Sequence, residues 1–351
     1  MLENQIFPKS SETNAVNSIP ENSQQEVAGK IYLNTSEAIA DFDGETTADK
    51  SEPVSDPRVS KILVNARLLM KHREYPLAMN LLRQASNLDS KNVSTLTALS
   101  ECLEKTNRID EALIARKALV GVDYGFESLY GFATTLYKLG RDQEALDKYY
   151  EALAVLTVEN ENLFDLYKNM GNIFVRQNDF DGAEEYYNKA YTMNPESDVL
   201  LVNFGTLEVQ RQDFDKSLFC FRRAVEINSE NEKAWVGLAM VHNHFGDIDL
   251  AWANIETAID INPQNRTAVH LAANWGVRDH KVHKAIEALE GYLATVEQDE
   301  DMSLVLINLF CTSGQFSNAL LEIERVLLWN PEHVEVRELK KKLMSAQGKV
   351  A

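Results

Sequence analysis

The chain has 351 residues, 44% of them hydrophobic, and its 35 lysines and arginines against 54 aspartates and glutamates leave a formal net charge of -19. That charge repels nucleic acid and anionic lipid over most of the surface, so neither nucleic-acid binding nor membrane insertion is expected. Cys102, Cys220 and Cys311 stand far apart with no zinc or redox spacing, and the N-terminus lacks a basic start followed by an apolar stretch. The expectation is a cytoplasmic protein in a reducing compartment.

Residues 1–58 are rich in Ser, Thr, Asn, Glu and Asp, with 11 acids against 4 bases, and the composition predicts a disordered acidic tail. Within it, residues 27–42 hold Ile31, Tyr32, Leu33, Ile39 and Phe42, enough apolar surface to dock on something as a short linear motif.

From Val59 onward, apolar residues fall at helical spacing and are interrupted at regular intervals by short polar turns. Pro195, Pro263 and Pro331 stand 68 residues apart, twice 34, with Ser229 midway between the first two. In that register the blocks run 59–92, 93–125, 126–159, 164–197, 198–231, 232–265, 266–299 and 300–333, with 160–163 as an insertion. A small residue recurs on the first helix of seven blocks, as Ala66, Ser100, Ala133, Gly171, Gly205, Ala239 and Ala273; Ile307 replaces it in the last. A second small residue opens every second helix, as Ala78, Ala112, Ala145, Ala183, Ser217, Ala251, Ala285 and Ala319. Asn178-Asp179, Gln212-Asp213, Gly246-Asp247 and Gly314-Gln315 are turn signals between antiparallel helices. Large apolar residues such as Leu69, Phe174, Tyr187, Phe221 and Leu289 fill the space between. The segment 334–346, with Val336, Leu339 and Leu343 on one face, reads as a solvating cap.

The fourth block, LYKNMGNIFVRQNDFDGAEEYYNKAYTMNP from Leu166, resembles the tetratricopeptide repeat, and with the other blocks the resemblance covers about four-fifths of the chain. It implies an all-α, right-handed superhelical solenoid of about eight antiparallel helix pairs with a C-terminal capping helix and a disordered N-terminal tail. It also implies a concave groove, lined by the first helices, that receives a peptide or a partner helix. The block from Arg266 departs most, with Tyr292 where a small residue is usual.

The residues expected to face that groove include the cations Arg67, Lys71, Lys105, Lys138, Lys168, Arg176, Lys233 and Arg278, and the apolar Tyr130, Tyr137, Val175, Val202, Val209, Val236 and Met240. A basic channel in an acidic protein selects a protein or peptide with acidic residues and apolar anchors. Lys168, Asn172, Asn203 and Lys233 are similar in spacing to the clamp by which co-chaperone members of the family hold a C-terminal carboxylate. Gly237 stands where that clamp has an arginine, removing a bidentate contact; Asn172 and Asn203 also suit ordinary packing.

His242 with His244 and His280 with His283 lack acidic or cysteine partners at ligand spacing, so no metal is expected, and no cofactor. The acids Glu184-Glu185 and Asp299-Glu300-Asp301 read as solvated faces and loops rather than catalytic dyads. Phosphate loop, HExxH and nucleophile-elbow patterns are missing, which points away from an enzyme. The leading reading is a non-catalytic adaptor or scaffold. Beside it stand a targeting or regulatory subunit of a separate enzyme or secretion system, a co-chaperone-like carboxylate binder, a groove occupied in cis by the acidic tail, and a homodimer.

Overall fold

In the computed structural model, residues 57–158, 160–296 and 298–347 are described, and the acidic tail expected over 1–56 lies outside them. Pro57 and Arg58, assigned to the tail on composition, open the first helix instead. Among the described residues there are seventeen α-helices and no strand. They fall into two compact units divided at Asp123 and Tyr124.

The first unit holds α1 (Pro57–Lys71), α2 (Tyr75–Leu88), α3 (Val93–Lys105) and α4 (Ile109–Val120). Its core is one cluster built from Val59, Leu63 and Ala66 of α1, Ala78, Met79, Leu82 and Ala85 of α2, and Ala98, Cys102 and Leu103 of α3. Arg116 on α4 turns inward and its guanidinium holds Glu104 of α3 through two bonds of 3.1 and 3.0 Å, both side chains being nearly buried. Each charge is paired, the condition on which a low-dielectric site tolerates it.

The second unit holds six further helix pairs: α5 (Phe126–Lys138) with α6 (Asp142–Val155), α7 (Leu163–Arg176) with α8 (Phe180–Met193), and α9 (Asp198–Gln210) with α10 (Phe214–Ile227). Then come α11 (Glu232–Phe245) with α12 (Ile248–Ile261), α13 (Arg266–Arg278) with α14 (Val282–Thr295), and α15 (Glu300–Thr312) with α16 (Phe316–Trp329), followed by the single helix α17 (Val334–Gln347). Leu163, read as part of an insertion, is helical and buried.

Every pair is closed by the same device. A residue in the turn after the first helix, two positions past its end except at Gly246, adopts the left-handed conformation: Arg73, Asn107, Gly140, Asn178, Gln212, Gly246, His280 and Gly314. The next amide then reaches back to the last turn, as in Glu74 N to Leu69 O at 2.9 Å, Asp213 N to Glu208 O at 2.8 Å and Lys281 N to Gly276 O at 2.8 Å. This is the C-terminal cap that satisfies orphan carbonyls. It assigns His280 to a turn, and it includes Arg73 and His280, residue types that give no turn signal by composition.

The small residues admit large rings. A Cβ on Gly205 would lie 2.7 Å from the ring of Phe221, and one on Gly171 would overlap the ring of Tyr187. Tyr292, the anomaly of the seventh block, is buried in the C-terminal core cluster, and its hydroxyl donates to Asp299 at 2.8 Å.

Four first helices of the second unit, α5, α9, α13 and α15, are latched at their start to the segment that follows the pair. Glu127 accepts from Asn160 and Asn162 (2.6 and 3.0 Å), and Asp198 accepts from Asn228 and Asn231 (2.6 and 2.9 Å). Arg266 binds Asp299 through two bonds and Asp301 through one, and Glu300 takes Asn330 and pairs with His333 at 2.8 Å. Of the acids read from sequence as solvated, Asp299 is nearly buried in its latch, whereas Glu300 and Asp301, Glu184 with Arg211 at 2.5 Å and Glu185 with Lys189 at 2.7 Å are paired and still open to solvent.

Candidate functional site: the first-helix face of the second unit

The ten residues singled out from sequence as peptide-binding lie on four first helices of the second unit: Tyr130, Tyr137 and Lys138 on α5, Lys168, Asn172 and Arg176 on α7, Val202 and Asn203 on α9, and Lys233 and Met240 on α11. Four of them are brought together around one amide. Asn172 Oδ1 accepts from Tyr187 Oη at 2.7 Å and from Asn203 Nδ2 at 2.9 Å, while Asn172 Nδ2 donates to Tyr137 Oη at 3.0 Å. Arg176 lays its guanidinium 4.5 Å from the centre of the Tyr137 ring and forks onto Asp142 with bonds of 2.9 and 2.5 Å. Burial holds the Tyr187 phenol well above the ordinary tyrosine range, so it stays a neutral donor.

Asn172 has committed both amide groups to the protein. Asn203 has committed its donor side to Asn172 and keeps its carbonyl oxygen. Tyr137 accepts from Asn172, so its own O–H remains to be given. The chain of phenol, amide and amide crosses three successive pairs and is fixed at its centre by Tyr187 of the same pair as Asn172.

The cations are less available than their number suggested. Lys168 is ion-paired with Asp165 and sits 5.4 Å from the centre of the Phe164 ring, Arg176 is held by Asp142, and Arg278 is held by Asp279 and by Asn243 Oδ1 at 2.6 Å. Lys233 is exposed, and so is Lys138, which has a partner of its own. Among the apolar residues, Tyr130 stacks on Phe126 with ring centres 6.0 Å apart and tilts against Tyr149. Val202 is buried, and Met240 packs half-buried on the core of α11 to α13. On α9 the apolar side chain that does reach solvent is Val199, one turn before Val202 on the same helix and not singled out from sequence.

Gly237 has a steric reason. A Cβ there would lie 2.5 Å from the ring of Phe221, which fills the space between Gly205 and Gly237. The arginine of the carboxylate clamp has no room at this position while Phe221 is in place. The histidines diverge as well: His242 is buried with Nδ1 3.4 Å from Asp247, and His244 stacks on Phe214 at 3.6 Å between ring centres. Among the described residues no group of three His, Cys, Asp or Glu is placed to hold a metal ion. All three cysteines are free thiols, and burial pushes that of Cys220 up to about 11. No helix among the described residues is long and apolar enough to cross a membrane.

Two stretches, 126–196 and 202–266, match sequence profiles of the Tetratricopeptide repeat, and they coincide with α5 to α8 and with the pairs from α9 to the start of α13. The chain is a tetratricopeptide-repeat protein. A repeat protein of Parabacteroides merdae ATCC 43184 superposes with a TM-score of 0.60 at 17% identity, over 72% of this chain and 98% of that one. The type IV pilus biogenesis factor PilW aligns with a TM-score of 0.55 at 15% identity, over 62% of this chain and 99% of its own. Pseudomonas aeruginosa PilF aligns with a TM-score of 0.51 at 15% identity, over 63% of this chain and 100% of its own. No curated protein sequence matches. At these identities the likeness concerns the repeat fold, on which unrelated functions are built.

Proposed function

We propose that this repeat protein is a non-catalytic scaffold whose first-helix face, from α5 to α11, binds an acidic segment of a partner protein bearing apolar anchors. The observation that carries the reading is the fixed chain Tyr137–Asn172–Asn203, locked by Tyr187, with exposed Lys138 and Lys233 on the same four helices. Tyr137 gives a hydroxyl and the two lysines give charge to a carboxylate, while Val199 offers apolar contact. An internal acidic segment suits this face better than a chain terminus, because Phe221 excludes a side chain at Gly237. The non-catalytic reading is supported by how the polar groups are used: they are bonded to one another rather than converging on an open point.

The test is fluorescence anisotropy with labelled peptides that combine Asp or Glu with Leu or Phe, against the same peptides with Lys for the acids. Acidic peptides should bind, and Lys138→Glu with Lys233→Glu should weaken them by about tenfold, a change of about 1.4 kcal/mol. Equal binding of the lysine peptides to the unaltered protein would sink the proposal.

A further inference from the structure

The first helix of the chain's repeats has an outer face that its successors do not. Lys61, Val64 and Leu68 lie along one side of α1, and Val64 and Leu68 are 68% and 55% exposed. One repeat on, the matching positions of α3 are Thr95, Ala98 and Cys102, all buried. In the second unit the positions matching Lys61 and Leu68 are Leu166 and Ile173 on α7, Leu200 and Leu207 on α9, and Ala234 and Val241 on α11, again all buried. These are the positions by which a first helix packs on the pair before it. Among the described residues no pair precedes α1, and in place of the polar outer face that ends a repeat array, it presents two aliphatic side chains.

The same helix carries Arg58, Lys61, Arg67 and Lys71 and no acid. Residues 31–45, which precede it in the chain, read IYLNTSEAIADFDGE: five large apolar residues with Glu37, Asp41, Asp43 and Glu45 and no base. Charge and hydrophobicity are complementary, and the reach is sufficient. The residues 46–56 between them span about 36 Å when extended, against about 22 Å for the whole of α1. A second copy is a poorer occupant. Two α1 faces brought together oppose eight cations, and α17, the last of the described helices, carries Arg337, Lys340, Lys341 and Lys342 against Glu335 and Glu338, so end-to-end stacking also brings two net-positive helices together.

We propose that residues 31–45 fold back in cis onto the outer face of α1, with Ile39 and Phe42 covering Val64 and Leu68 and the acids meeting Lys61, Arg67 and Lys71. The segment then supplies the covering that the preceding pair gives to α3 in the first unit and to α7, α9 and α11 in the second, and it ties the acidic tail to the first unit rather than to the peptide-binding face proposed for the second.

The experiment uses the full chain with Phe42 replaced by the photo-crosslinking analogue p-benzoylphenylalanine. Mass spectrometry should find intramolecular adducts on α1, and the pair Val64→Glu and Leu68→Glu, both at exposed positions, should abolish them. Amide exchange of α1 should quicken by about tenfold in the Ile39→Ser, Phe42→Ser variant, since local opening governs exchange at such an end. Adducts on α5 to α11, adducts between copies, no adducts at all, or α1 exchange indifferent to Ile39 and Phe42 would each overturn the proposal.

Discussion

The pairs α9–α10 and α13–α14 lie two repeats apart and are built to one plan with different chemistry. In the first, Asp198 opens the leading helix and accepts from the amides of Asn228 and Asn231. In the second, the matching position is Arg266, which gives its guanidinium to Asp299 and Asp301. The latch is preserved with donor and acceptor exchanged. The interior differs likewise: Phe221 lies against Gly205 and Gly237, whereas the later pair has the smaller Leu289 at the position of Phe221 and recovers volume through Tyr292, at the position of Ala224. The repeat conserves a geometry and a filled volume, and it leaves open which residue supplies them.

The sharpest way to break the comparison is to remove the large side chains. Phe221→Ala should cost about 3–5 kcal/mol and Leu289→Ala about 2–4 kcal/mol in urea unfolding, because the first leaves a space flanked by two glycines with nothing to collapse into it. Equal costs would mean that the glycines do not set the difference.

The latches come next. Arg266→Ala should destabilise by about 1.5 kcal/mol, at the low end for bonds to a charged group because the guanidinium is more than a third exposed. Asp198→Ala should cost about 1 kcal/mol, because the exposed Asn228 amide it frees can turn to water while that of the buried Asn231 loses its partner. Equilibrium unfolding of the two variants side by side checks the order.

Acid should then separate the latches from the core. Burial alone would raise Asp299, but bonds from Arg266, Tyr292 and the Met302 amide outweigh it and hold the carboxyl below its ordinary value; for Asp198 the same burial is outweighed by Asn231 and Asn228. A carboxylate held low when folded contributes stability that is present above the unfolded value of about 3.9 and is lost as pH falls through the folded one. Stability should therefore fall below about pH 4, and in Arg266→Ala that fall should be shallower, because the group that lowers Asp299 most is gone. Unfolding midpoints measured from pH 6 down to pH 3 decide it.

The smallest effect is expected for Tyr292→Phe, which keeps the buried ring and removes only its hydroxyl bond to Asp299. A loss of about 0.5–1 kcal/mol by thermal unfolding is expected; a loss as large as that of Leu289→Ala would mean the hydroxyl positions the ring.

Much of the fold was legible because each repeat repeats its own instructions. The proline spacing, the two small-residue positions and the glycine or asparagine turns are local signals, and a solenoid packs each unit only on its neighbours, so a period of 34 read from the sequence sufficed to predict helix pairs and a terminal helix. Local reading failed where the partner lies one period away. Arg176 meets Asp142, 34 residues earlier, Asn172 meets Tyr137, 35 earlier, and Arg266 meets Asp299, 33 later. Taken singly, these were groove cations, a clamp amide and a solvated acid.

The amino-acid sequence by itself therefore determined the repeat, the hairpins and the family, since these depend on turn chemistry and on residue size at fixed intervals. Only the tertiary structure decided which polar groups remain to be offered to a partner. Helix packing sets Asp142 beneath Arg176, commits the Asn172 amide and fills the space at Gly237 with Phe221, and each of these depends on how one pair of helices lies against the next.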